Sequence, residues 1–226
     1  DHLKFDSNKA FNISSACDKD KFFVSQENDV SVKINLDDIN PFLLYVGASD
    51  PRKNLKNLLH AYSKLPIQYT NYKLVLAGKL LQPETELIDI WIDLYKIDKS
   101  KVKKIGYVSD DDLVFLYRRC ALFVYPSLHE GFGLPILEAM SCGAPVIGSN
   151  CTSIPEIISI KKAMFDPQNI NEIKDLIIKS LSDNSYKQEL LNNANLQSSK
   201  FSWKNTAQKA IKACHQISEE SDSTND

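Results

Sequence analysis

Short apolar runs and helical stripes alternate through the middle of the chain. FLLYVG (42–47), KLVLAG (73–78) and KKIGYV (103–108) have β-type composition, and a glycine closes or interrupts each. ALFVYPS (121–127) and PVIGSN (145–150) are two more such runs, and AMF (163–165) is a short sixth. After the first run, Leu55, Leu58, Leu59, Tyr62 and Leu65 fall on one face of a helix. After the second, Leu87, Ile90, Trp91, Leu94 and Tyr95 give a comparable stripe. After the third, Ser109 with Asp112 predicts a capping box opening a helix through Tyr117. Strands without polar alternation belong in a sheet covered on both faces. Their alternation with helices predicts an α/β fold, a Rossmann-like parallel sheet with helices on both faces, its core at about 42–167.

The flanks read differently. Residues 169–183 and 185–199 form two amphipathic helical patterns, and 201–217 a third with Ser202 as its N-cap. The polar, acidic tail 218–226 has a disordered composition. Near the start, AFNISSA (10–16) predicts a strand and 25–40 a linker. The expected organisation is therefore a leading piece over 1–40, one domain over 41–217 and a tail over 218–226.

Composition removes some functions. A formal net charge of −2 lacks the basic signature of a nucleic-acid binder acting through bulk charge. No run approaches the roughly 18 to 20 apolar residues of a helical membrane span. The five cysteines are scattered, odd in number and without CxxC spacing, which predicts reduced thiols and no structural zinc site. The polar opening has no signal-peptide pattern, and its first residue, Asp1, leads us to expect a chain that starts inside a longer protein.

The chemistry concentrates in SLHEGFGLPILEAMSCGAPVI (127–147), where Glu130 and Glu138 flank Gly131, Phe132, Gly133 and Pro135. The segment follows the fourth strand, and in open α/β sheets ligands sit beyond the carboxyl ends of the strands. Pro135 suits the first turn of a helix and Gly143 suits its end, so Glu138 is expected in the first turn. Helix N-termini offer free N–H groups and partial positive charge, a setting for a phosphate. Two carboxylates beside an anion site make sense if the ligand also brings hydroxyls, as a sugar and a ribose joined by a diphosphate do. The same residues also read as a helix-dipole partner and a solvated loop glutamate, and a lone G-x-G does not decide between the two.

The elbow and the strand after it are similar to the E-x7-E signature of retaining GT-B glycosyltransferases, the glycosyl transferases group 1, or family four. The resemblance extends in order through YVGASDPRKNLKNLLHAYSKL (45–65), YKLVLAGK (72–79), VKKIGYVSDDDLVFLYRRCALFVYPS (102–127), SNCTSIPEII (149–158) and FDPQNINEIKDLI (165–177). It covers roughly 42–205 and implies the nucleotide-sugar-binding, C-terminal half of a GT-B fold. The DPRKN form is similar to members that build bacterial surface polysaccharides, mannosyltransferases and O-antigen enzymes among them.

Carried over, the resemblance implies catalytic roles for Glu130, near the transferred sugar, and for Lys53, on the phosphates. It implies donor contacts from Glu138 to the ribose hydroxyls, from the backbone of Gly131, Phe132, Gly133 and Leu134, from Gly47, and from Val108 to the base. Many members carry Arg after the glycine of the first strand; here that residue is Ala48, and Arg52 is expected to supply the second cation. Physical chemistry points the same way, since expulsion of a nucleoside diphosphate needs preorganised positive charge. Asp110 and Asp112 make a D-x-D, but at a helix start the dipole accounts for them. His129 reads as a loop residue beside Glu130.

The resemblance also implies a nucleoside diphosphate hexose as donor, GDP-mannose favoured, with no metal or other cofactor. It implies a saccharide or lipid-linked acceptor bound through an N-terminal domain absent from this chain, so that the chain alone transfers little sugar. Residues 12–23 resemble the crossover from that domain, and the helix around Trp203 is expected to pack back toward it. A cytoplasmic location is expected, with the full protein at the inner face of the cytoplasmic membrane. Two other readings stay open: a nucleotide-sugar epimerase or phosphorylase of the same fold, and a non-catalytic nucleotide-sugar-binding module. A dinucleotide-binding domain is disfavoured, because VGASDPRKN lacks G-x-G-x-x-G after the first strand.

Overall fold

The structure, a computed structural model, describes residues 10–25, 34–48, 50–79, 82 and 84–222, with backbone only at 36, 84 and 218–222. Among these residues six strands form one sheet: β1 (Phe42–Val46), β2 (Lys73–Ala77), β3 (Val102–Gly106), β4 (Leu122–Tyr125), β5 (Val146–Ser149) and β6 (Met164–Phe165). Every pairing is parallel and the order is β3-β2-β1-β4-β5-β6. The chain thus winds outward from β1 to β3, crosses back, and winds the other way from β4. Between β1 and β4 the winding reverses, and the loops leaving those two strands open a crevice at their carboxyl ends.

Among the described residues eight helices accompany the sheet: α1 (Leu55–Ser63), α2 (Glu84–Leu94), α3 (Asp110–Arg119), α4 (Leu134–Ser141), α5 (Ile154–Ile158), α6 (Ile170–Ser182), α7 (Asn184–Lys200) and α8 (Trp203–Asp222). The first four residues of β1 and all of β4 and β5 are buried, as a sheet covered on both faces requires. Edge strand β3 buries only Val102. Helix α1 buries the expected Leu55, Leu58, Leu59 and Tyr62. Ser109 caps α3 by accepting from Asp112 N–H, and α3 runs two residues past Tyr117.

Three expectations fail. Helix α2 forms but buries Ile88 and Ile92, leaving Leu87, Ile90 and Leu94 exposed. Its sequence is apolar on most sides, so spacing alone does not fix which face turns inward; stacking of Tyr95 on His60, 4.4 Å between centroids, accompanies the observed choice. No strand forms at 10–16. Asn12 Oδ1 accepts from Ser14 N–H, and Ser14 sits at φ 59°, so an Asx turn breaks the extended chain. The segment instead packs as an irregular strip that buries Ala16, Cys17 and Phe22. At the other end, helix α8 continues to Asp222, past the expected boundary at 217. Parts of the expected leading piece (1–9 and 26–33) and of the tail (223–226) lie outside the described residues.

Candidate functional site

The loop after β1 is held in shape before it meets any ligand. Asp50 accepts from Arg52 N–H at 2.8 Å and caps a 3-10 turn over Pro51–Lys53. Asn54 then takes a left-handed conformation, φ 57°, which asparagine tolerates. Its buried Nδ2 donates to Pro126 O at 3.0 Å and Pro167 O at 2.7 Å, tying together the loops that leave three strands. Gly78, at φ 132°, lets the end of β2 approach the same loop; a Cβ there would stand 2.3 Å from Gly47 O.

The loop after β4 is fastened to the first. Leu128 N–H donates to Arg52 O at 2.7 Å, and Ser149 Oγ to Ser127 O at 2.5 Å. The elbow is pinned from the far side by the loop after β5. Glu130 N–H donates to Thr152 Oγ1 at 3.0 Å, and Ser153 Oγ to the carbonyls of Glu130 and Phe132 at 3.1 and 2.8 Å. Phe132 packs edge-on against Phe201. Gly133 enters α4 at φ 107°, a conformation that favours glycine. The N–H groups of Phe132, Gly133 and Leu134, at and just before the start of α4, have no hydrogen-bond partner among the described residues.

These two loops bring Lys53 and Glu130, 77 residues apart, into an ion pair of 2.6 Å. Tyr125 OH donates to the same carboxylate oxygen, Oε1, at 2.8 Å, and Ser127 Oγ lies 2.6 Å from it. Lys53 Nζ also donates to Tyr125 OH at 3.1 Å. Burial pushes the Glu130 carboxyl pKa up. The bonds from Lys53, Ser127 and Tyr125, with the Lys53 charge, outweigh it and hold the pKa below the usual glutamate value. Burial drives the Tyr125 hydroxyl strongly upward, so it remains a donor.

Glu138 is the fifth residue of α4, in the second turn and not the first, because the helix starts at Leu134. The macrodipole is therefore not what stabilises it. Burial raises its pKa, the bond from Tyr117 OH at 3.1 Å opposes this, and the Asp110 charge adds to it. Arg52 turns away from Lys53: its guanidinium grips Asp50 at 2.6 Å and its side chain is 67% exposed. The Arg52 carbonyl accepts from Leu128 N–H, and the Glu130 charge, as well as that of Asp50, acts on its guanidinium. Val108 is half-buried beyond β3, two strands out from β1, in a cleft that Tyr107 and Asp112 also line. The D-x-D acids occupy the first turn of α3, with Asp110 paired to Lys21 at 2.6 Å. Among the described residues no group of three metal-ligating side chains occurs. His129 is exposed. Residue-type reasoning did not single out Tyr125, Ser127, Tyr117 or Asn54. The available signal was a polar tip in or just after an otherwise apolar run.

Comparison with known proteins places the site in context. The model of the family described as glycosyl transferases group 1 matches residues 26–197. The chain is 42% identical over 221 residues to the serotype-specific mannosyltransferase WbdA of Escherichia coli, covering 96% of this chain and 27% of that one. It is 40% identical over 174 residues to the O-antigen chain mannosyltransferase B of Escherichia coli, covering 76% of this chain and 45% of that one. It superimposes on sucrose-phosphate synthase from Thermosynechococcus elongatus with a TM-score of 0.76 at 25% identity, over 92% of this chain and 52% of that one. The chain therefore spans between about a quarter and a half of the length of these relatives.

Proposed function

The chain belongs to the glycosyl transferases group 1 family, and on that premise we propose that it is the donor-binding half of a retaining glycosyltransferase. The enzyme moves a hexose, mannose before others, from a nucleoside diphosphate sugar to a saccharide or lipid-linked acceptor in surface polysaccharide synthesis. GDP-mannose is the favoured donor. The observation that carries this reading is the meeting of Lys53 and Glu130 at the switch point of the sheet, beside the open N–H groups of α4.

Transfer breaks the bond between the anomeric carbon and the diphosphate, and negative charge grows on the departing oxygens. Lys53 and the N–H groups of Phe132, Gly133 and Leu134 stabilise that charge, and in this reading they do so without a metal ion. Glu130, held ionised, accepts from hydroxyls of the sugar. Glu138 meets the ribose hydroxyls, and the backbone at Val108 meets the base. Gly47 and Gly131 let the ligand approach the two loops. Arg52, paired with Asp50 at the mouth of the same loop, is the second cation in this reading, and its carbonyl braces the loops through Leu128 N–H.

The acceptor is bound by parts of the enzyme outside these 226 residues, so the chain alone binds donor and transfers little sugar. Among the described residues no helix is long and apolar enough to cross a membrane. The reading places the whole enzyme in the cytoplasm, at the inner membrane face where a lipid-linked acceptor is reached.

Calorimetric titration with GDP, UDP, ADP and dTDP tests the site, alongside Lys53→Ala and Glu138→Ala. One nucleotide should bind, and each substitution should weaken it about tenfold or more. Binding that both substitutions leave untouched would refute the assignment.

A further inference from the structure

Glu130 is held unevenly. Oε1 receives Lys53 Nζ at 2.6 Å, Ser127 Oγ at 2.6 Å and Tyr125 OH at 2.8 Å. Oε2 receives nothing among the described residues. No buried side-chain oxygen among them lacks a partner, so Oε2 must reach the surface of a side chain that is only 12% exposed.

Proton counting makes the arrangement directional. The Tyr125 hydroxyl accepts from the Lys53 ammonium, which has no lone pair, so its single proton goes to Glu130. Ser127 Oγ lies near Arg52 O at 3.0 Å, His129 O at 3.4 Å and Glu130 Oε1 at 2.6 Å. One proton serves one of these well, and the charged acceptor at the shortest distance takes it. Tyr125 and Ser127 are two apart at the end of β4 and just beyond it, and both reach the same oxygen.

We propose that Tyr125 and Ser127 are positioning residues that fix Glu130 by Oε1, so that Oε2 alone is presented to the hydroxyls of the transferred sugar. This rests on the donor-binding reading above and adds to it the atom that reads the sugar. The Lys53 ammonium keeps one N–H beyond its two bonds here, which is available to the diphosphate. Sugar recognition and phosphate recognition therefore share one carboxylate–ammonium pair, and the hydroxyl donors act on the sugar side of it. The carboxyl pKa, held down partly by these two hydroxyls, agrees with the geometry.

The test compares the chain with Tyr125→Phe and Ser127→Ala, each titrated with GDP, GDP-mannose, UDP and UDP-glucose. Carboxyl carbon NMR follows the Glu130 pKa in the same samples. The unaltered chain should bind one nucleotide sugar more tightly than its nucleotide. Each substitution should lower affinity for that sugar nucleotide about tenfold, change affinity for the bare nucleotide less than about threefold, and raise the Glu130 pKa. Equal weakening of both ligands, no weakening, or an unmoved pKa overturns the positioning role. So does an unaltered chain that binds the sugar nucleotide no better than the nucleotide. An unaltered chain that binds ADP or dTDP instead is compared on that nucleotide and its sugar nucleotide, and one that binds no nucleotide at all overturns the donor-binding reading and, with it, this proposal. Thermal melts establish folding, and Ser127→Ala decides if Tyr125→Phe does not fold.

Discussion

Replacing Lys53 by methionine keeps most of the stem and removes the ammonium that faces Glu130. The pair is 2.6 Å long, and its side chains are 24% and 12% exposed. Exposed ion pairs contribute about 0–1 kcal/mol, whereas breaking a fully buried pair costs about 3–5 kcal/mol. This pair lies between those limits. After substitution, Ser127 and Tyr125 still donate to the abandoned carboxylate, which reduces the penalty. We therefore expect a loss of about 2 kcal/mol at pH 7, or about 4–8 °C in Tm for a chain of this size.

The pH dependence identifies the cause. In the native chain the Glu130 pKa is depressed, so its contribution is present above the unfolded value of about 4.3 and is lost as pH falls through the lower folded value. Without Lys53, burial is opposed by two hydroxyls alone, and the folded pKa moves up. The variant then protonates Glu130 earlier, and the stability gap should narrow as pH falls below about 5. Adding Glu130→Gln removes the buried charge, so the double variant should be more stable at pH 7 than Lys53→Met alone. Urea denaturation of the unaltered chain, Lys53→Met, Glu130→Gln and the double variant at several pH values measures each quantity. A loss under about 0.5 kcal/mol, a gap that does not change with pH, or strictly additive effects would refute the reasoning.

Other parts of the crevice give further tests. Asn54→Ala should cost about 2–3 kcal/mol in denaturant unfolding, because the buried Pro126 carbonyl loses its side-chain donor, Pro167 O keeps only Asn57 Nδ2 at 3.0 Å, and alanine is strained at φ 57°; Asn54→Gly should recover only the strain. Gly78→Ala should destabilise by several kcal/mol, since its Cβ would meet Gly47 O at 2.3 Å, while Gly106→Ala, with open space at φ 72°, should lose about 1 kcal/mol; equal losses in thermal melts would contradict this. Tyr117→Phe removes the bond that opposes the raised Glu138 pKa, so ionising Glu138 in the fold becomes harder. Its cost should grow as pH rises past the raised native pKa of Glu138, and NMR titration of that carboxyl should show the pKa rising further.

The sheet was legible because parallel strands buried on both faces leave uninterrupted apolar runs, and β1, β2, β4 and β5 are such runs. The phase of α2 was not, since a helix that is apolar on most sides can turn either face inward and packing makes the choice. Chain topology brings Lys53 to Glu130, and the runs and crossovers that set it were visible in sequence. Arg52 and Lys53 look equivalent as neighbours in a basic loop. In a 3-10 turn, however, adjacent side chains point about 120° apart, so Lys53 pairs with Glu130 and Arg52 does not. Asp50, two residues before Arg52, takes the other.

Tyr125 and Ser127 escaped notice for a related reason. A tyrosine at the end of a buried strand reads as packing, and a serine after Pro126 reads as a turn. Their hydroxyls acquire meaning only once Glu130 is known to fold back over the strand it follows. The informative feature in such a strand is thus the last polar tip before the loop. Buried hydroxyls there must find a partner, and here the nearest one is the Glu130 carboxylate of the following loop. Tyr117 under Glu138 repeats the arrangement from α3, with Phe123 lying between the two tyrosines at 5.4 and 5.8 Å. Glu130 and Glu138 each accept from a tyrosine hydroxyl, and the two tyrosines are joined through one aromatic row as well as through the chain between them.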